Sequence, residues 1–151
     1  MKKVLIASDH AGLPGKEVIK KTLDEMGVEY EDLGTNSPDS VDYPDYAERV
    51  ARGVAKGEAE RGILVCGTGI GMEIVANKVP GIRAALAWNE ETAKLAREHN
   101  DANIVTVGAR TTAPETIDQI IRAFLTTNFG GGRHQPRVEK IAKLDEQYRD
   151  R

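Results

Sequence analysis

Cys66-Gly67-Thr68-Gly69-Ile70-Gly71 makes the strongest local claim to chemistry in this chain. Three glycines follow the apolar run Gly62 to Cys66 and precede a helical pattern that starts at Met72. Glycine lets a backbone turn tightly and lets a ligand approach its N–H groups. A helix N-terminus adds partial positive charge and free donors. The loop could hold a phosphate or a developing oxyanion, although a plain tight turn uses the same residues. Cys66 ends its strand immediately before the loop. A lone cysteine is most often a small core residue. Here the helix start that follows favours a thiolate, which can abstract a proton from carbon. The Thr68 hydroxyl could donate to charge that develops beside it.

The remaining candidates are scattered. His10, His99 and His134 lack metal-ligand spacing, so no metal site is expected. Each reads as a surface residue or as an acid/base or anion-binding group. Asp9 could fix a hydroxyl of a ligand or cap the segment after it. Arg133 and Arg137 are one helical turn apart, beside Gly130-Gly131-Gly132 and Pro136, and make either an anion clamp or a solvated basic patch. A nucleotide reading is weaker. The glycine loop is G-x-G-x-G, with Met72 in the last fingerprint position, and it is not the first strand-to-helix turn. Gly12-Leu13-Pro14-Gly15-Lys16 has the wrong spacing for a Walker loop.

The elements that must position these groups follow from periodicity. The chain has 151 residues, 40% of them hydrophobic, enough for one domain with its own core. Apolar runs at Val4–Ala7, Gly62–Cys66, Ile82–Trp88 and Ala102–Val107, and a half-polar run at Val28–Leu33, read as strands. Amphipathic stretches read as helices at 14–26, 45–56, 72–77, 90–99 and 114–127, with a C-terminal helix at about 135–148 and a loop at 38–44. Gly27 is a helix stop. Alternation of strand and helix implies an α/β fold, a Rossmann-like three-layer α/β/α sandwich with a parallel sheet of about five strands, across a single domain 1–151. Such sheets bind ligands beyond the carboxyl ends of their strands. Asp9-His10, Cys66 to Gly71 and Gly108-Ala109-Arg110 all stand there. His99 and Asn100 end a helix and precede a strand, so they belong at the opposite edge, roughly 15–20 Å away. One subunit cannot then assemble them with Cys66, which points to a site shared across a two-fold interface. Composition narrows the partners. A net charge of −3, 21 Lys+Arg against 24 Asp+Glu, argues against nucleic acid or an anionic membrane. One cysteine excludes an internal disulfide framework, and no apolar run is long enough to span a bilayer. The expectation is a cytoplasmic protein acting on a small molecule.

Taken together, Ser8-Asp9-His10-Ala11-Gly12, Asp42-Tyr43-Pro44, Cys66 to Gly71, Ala76-Asn77-Lys78, Glu98 to Asn103 and Gly131-Gly132-Arg133-His134 resemble the type B ribose-5-phosphate isomerase family. That family also contains allose- and galactose-6-phosphate isomerases. The resemblance implies interconversion of ribose 5-phosphate and ribulose 5-phosphate, in the pentose phosphate pathway, through a cis-enediol(ate) and without a cofactor. It implies that Cys66 is the base that moves the proton between C1 and C2. Gly67, Thr68, Gly69, Ile70 and Gly71 match the loop that holds the enediolate oxygens, and His99 the acid/base that opens the sugar ring. Asn100 and Asp9 match substrate-binding positions, and His10, Arg110, Arg133 and Arg137 positions that bind substrate and its phosphate. It also implies a dimer or a dimer of dimers. One branch of the family replaces the cysteine with a glutamate further on. Here Met72 occupies that glutamate's position, and Glu73 beside it is read as non-catalytic. A hexose 6-phosphate isomerase and a nucleotide-binding regulatory module are the alternative readings.

Overall fold

Strands whose successive residues are all apolar must be covered on both faces, and the computed structural model covers them so. It describes residues 3–149. Among these, β1 (Val4–Ser8), β2 (Tyr30–Asp32), β3 (Arg61–Cys66), β4 (Ala84–Leu86) and β5 (Ile104–Gly108) form one all-parallel sheet in the order β2-β1-β3-β5-β4. Every residue of β1 and β5 is buried, whereas the short edge strands β2 and β4 are only partly so.

Alternation along the strands sorts the core into two layers. Val4, Ile6, Ile63, Val65, Val105 and Val107 pack under α1 (Leu13–Met26), α4 (Glu90–Asn100) and α5 (Pro114–Thr126). Leu5, Ala7, Leu64, Cys66 and Ile104 pack under α2 (Tyr43–Ala55) and α3 (Ile70–Ala76). A short 3₁₀ turn (Gly132–His134) leads into α6 (Gln135–Tyr148), which buries only Val138 fully and presents Ile141, Leu144 and Tyr148 outward. None of the helices is long and apolar enough to cross a membrane, among the described residues.

The periodicity places the elements correctly and misplaces several ends. Gly27 stops α1 in the left-handed conformation, at φ 68°. The second strand starts at Tyr30, because the Val28 N–H is taken by Leu23 at the helix end. The loop at 38–44 gives way to α2 at Tyr43, since Pro44 fits a first helical turn. The third helix begins at Ile70 and so takes Gly71 into its first turn. The strand expected at 82–88 shrinks to Ala84–Leu86, its entry bent by a turn from Ile82 N–H to the Val79 carbonyl.

The outer edge of β4 is closed by side chains of α3. Asn77, just past that helix, accepts from Ala84 N–H at 2.8 Å and donates to the Ala84 carbonyl at 2.9 Å. Glu73 accepts from Leu86 N–H at 2.6 Å. An edge strand covered in this way offers no free ladder to another chain.

Lys16 lies on the buried side of α1 and is fully covered. Its ammonium donates to Asp32 at 2.9 Å, to Asn36 at 3.2 Å and to the Thr35 carbonyl. Lys20 meets the other Asp32 oxygen at 2.8 Å. Burial pushes the Asp32 carboxyl up, but the two lysines and the Gly34 N–H outweigh it and hold the group below its ordinary value. The folded state therefore holds the lower pKa. The resulting stabilisation is complete above the unfolded carboxylate range of about 4 and is lost as pH falls through the folded value. Asp32→Asn leaves Lys16 buried without its counter-charge, at an expected cost of about 3–5 kcal/mol. A urea titration should show a lower midpoint at unchanged slope, and a flatter acid limb than the parent protein. An unchanged midpoint would show that the pair carries no net stability.

Candidate active site

Strand order reverses between β2-β1 and β3, and the crevice of a parallel sheet opens at such a point. The carboxyl ends of β1, β3 and β5 here surround a cleft of about 480 Å3, lined among others by Asp9, His10, Cys66, Gly67, Thr68 and Arg110. Ile70 and Gly71 complete the glycine-loop side, and Tyr43 and Ile74 close the wall.

Three glycines let the strand-end loops approach each other this closely. A Cβ on Gly12 would lie 2.2 Å from the Val65 carbonyl oxygen, and one on Gly108 2.6 Å from the Thr68 backbone. Gly69 adopts φ 80° against the Val107 backbone, a conformation and an approach that no other residue tolerates well.

Cys66 sits at the floor of the cleft, 5% exposed, and its sulfur accepts the Gly69 N–H at 3.1 Å. The Thr68 hydroxyl oxygen accepts the Ile70 N–H at 3.3 Å, which leaves its own proton free to donate outward. Asp9 caps the turn after β1 by accepting from Gly12 N–H at 2.9 Å, with its second oxygen free of that bond. The capping and ligand readings of Asp9 are thus compatible. Val41 N–H donates to His10 Nδ1 at 3.1 Å. A neutral imidazole so held carries its proton on Nε2, as a donor. Arg110 N–H bonds the Gly67 carbonyl at 2.9 Å, and its side chain lies over Gly67.

The other candidates lie elsewhere. Asn100 ends α4 and lines a separate hollow with Asn77, Arg83 and Ile141. His99 stacks on His134, with centroids 4.3 Å apart and planes 16° from parallel. Arg133 and Arg137 flank that pair from the 3₁₀ turn and α6. Desolvation, then the nearby His99, Arg133 and Arg137, lower the His134 pKa from its ordinary value. The end of α4 is rigidly held. Buried Arg97 donates to Asp101 at 2.9 Å, to the Ala102 carbonyl at 2.7 Å and to the Thr127 carbonyl at 3.0 Å. This group precedes β5, whereas Gly108 beside Cys66 ends it. Five residues of strand separate the two sets by about 13 Å or more along the sheet.

Tyr43 belongs to the Asp42-Tyr43-Pro44 motif. Its ring lies against Gly71, where a Cβ would approach it to 2.4 Å. Only the helix start at Tyr43, two residues earlier than periodicity places it, brings the ring to the cleft. Glu73 points away to the β4 edge.

A cysteine at a strand end, a glycine loop leading into a helix start and flanking Asp, His and Arg suit a small polar anion whose carbon is to be deprotonated. Comparisons with known proteins agree. Ribose-5-phosphate isomerase B of Escherichia coli strain K12 is 45% identical over 146 residues, covering 97% of this chain and 98% of that one. The type B ribose 5-phosphate isomerase of Trypanosoma brucei superposes with a TM-score of 0.90 at 54% identity, covering 95% and 99% of the two chains. The Mycoplasma genitalium ribose-5-phosphate isomerase B, solved with bound ribulose-5-phosphate, gives 0.92 at 43% identity, covering 96% and 97%. The ribose/galactose isomerase family model matches residues 4–141, and the chain belongs to that family.

Proposed function

We propose that this enzyme interconverts ribose 5-phosphate and ribulose 5-phosphate. One observation carries the reading: the Cys66 sulfur lies at the floor of a cleft rimmed by the glycine loop, Asp9, His10 and Arg110. Relatives of 43–54% identity named as ribose-5-phosphate isomerases support it.

In the open-chain aldose, the Cys66 thiolate takes the proton from C2. The C1–C2 bond becomes double, and the negative charge passes to the oxygen on C1. Donors of the Gly67–Gly71 loop and the Thr68 hydroxyl receive that oxygen without having to reorganise. The hydroxyl on C2 passes its proton to the oxygen on C1, the thiol returns its proton to C1, and the C2 carbonyl of the ketose forms. Asp9 holds sugar hydroxyls. His10, through Nε2–H, and Arg110 bind anionic oxygens, and the phosphate far from the reacting carbons supplies binding energy that orients them.

Ring opening needs a second proton shuttle. His99 of the partner subunit fills that role, with Asn100 beside it and Arg133 and Arg137 at the phosphate. The separation of the two sets along β5 supports a site completed by a second copy. A coupled assay with ribose 5-phosphate and allose 6-phosphate tests the assignment. Turnover of the pentose at least about tenfold more efficient, in kcat/KM, is the expected result, since one carbon in a fitted pocket is worth 10- to 200-fold. Preference for the hexose would overturn the substrate, and absence of turnover on both would overturn the activity.

A further inference from the structure

Thr106 is a polar residue on an interior strand of the sheet. It sits in β5, fully buried, on the face that carries Ile104. An apolar side chain would fill this position without the cost of burying a hydroxyl. The hydroxyl does have a partner. It donates to the Gly69 carbonyl at 2.9 Å. Gly69 is the residue whose N–H reaches the Cys66 sulfur at 3.1 Å, and its carbonyl belongs to the peptide that carries the Ile70 N–H.

Building on the isomerase reading of this site, we propose that Thr106 is a positioning residue that keeps the Gly69 N–H on the Cys66 sulfur and the Ile70 N–H on the Thr68 hydroxyl, the two groups that act on the substrate. Gly69 needs such a fix. Its left-handed φ of 80° is a conformation that glycine leaves easily. The helix it starts spans only Ile70–Ala76, too short to hold its own first turn. The Glu73 N–H also bonds the Gly69 carbonyl, at 3.1 Å, but that bond belongs to the same short helix. Thr106 anchors the loop instead to β5, a fully buried strand of the sheet. An anion loop works only where its donors are already placed, and a misplacement of about 1 Å is enough to cost up to a hundredfold in rate.

Thr106→Val removes the hydroxyl and keeps the branched shape. The Gly69 carbonyl retains the Glu73 N–H, so it is not orphaned. The expected result is a kcat lower by about tenfold or more, with KM within about twofold. Thr106→Ser, which keeps the hydroxyl, should recover most of the loss. Amide hydrogen exchange at Gly69 gives a second readout that needs no substrate, and it should be faster in the valine variant and near the parent rate in the serine variant. Unchanged kcat and unchanged exchange in the valine variant would overturn the proposal. So would a serine variant as impaired as the valine one, since packing would then explain both. A parent protein inactive on ribose 5-phosphate would refute the proposed activity and leave the exchange result to decide the anchoring.

Discussion

Replacing Cys66 with alanine is expected to lower kcat by about 10²- to 10⁴-fold, the range that a positioned proton-transfer group contributes. The fold should survive. The sulfur is a small part of the α2/α3 side of the core, and the backbone bonds of Cys66 to Ala109 and of Gly67 to Arg110 do not involve it. Removing one buried heavy atom costs on the order of 1 kcal/mol. A melting temperature within a few degrees of the parent, together with a large loss of kcat, separates chemistry from stability. The loop donors, His10 and Arg110 remain in the variant, so KM should change little. Deuterium from solvent gives a sharper check. A base that exchanges its proton with water leaves deuterium on the sugar carbon during turnover, and the alanine variant should lose this wash-in along with kcat. A loss below about tenfold would remove the sulfur from the base role.

The parts of this site that were legible in the sequence share one property: their chemistry sits at strand ends. Asp9, Cys66 and Arg110 follow runs whose apolar character marks them as central strands, so topology alone sends them to one crevice. The glycine loop between a strand and a helix is legible for the same reason. His99 and Asn100 were placed at the opposite edge by the order helix-then-strand, and the structure puts them there. What stayed hidden depends on contacts between distant segments. Lys16 reads as one more charge on an amphipathic helix, and only the strand-end loop around Asp32 and Thr35 shows why it is buried. Thr106 reads as a β-branched strand residue, because nothing in the local pattern reveals that Gly69 crosses over it. Tyr43 needed the start of α2 to be correct to within a turn, and Pro44 made that boundary ambiguous.

Mixing two inactive variants should return activity, and this is the largest change in the opposite direction. In the proposed dimer with shared sites, Cys66→Ala and His99→Asn each disable every site of their own homodimer. When equal amounts exchange subunits at random, half of the dimers are hybrids. In a hybrid, one of the two shared sites carries both substitutions and the other carries neither, which predicts about a quarter of the parent activity. The basis is the geometry of β5. Cys66 pairs with the end of that strand at Gly108, while His99 and Asn100 lie before its start at Ile104. Their own chain cannot close a gap of about 13 Å or more, because the sheet fixes one set and Arg97 pins the other. A site contained within one subunit makes the opposite prediction. Both mutant chains would stay dead in any mixture, even with hybrids visible by native mass spectrometry, and the shared-site model would then fail.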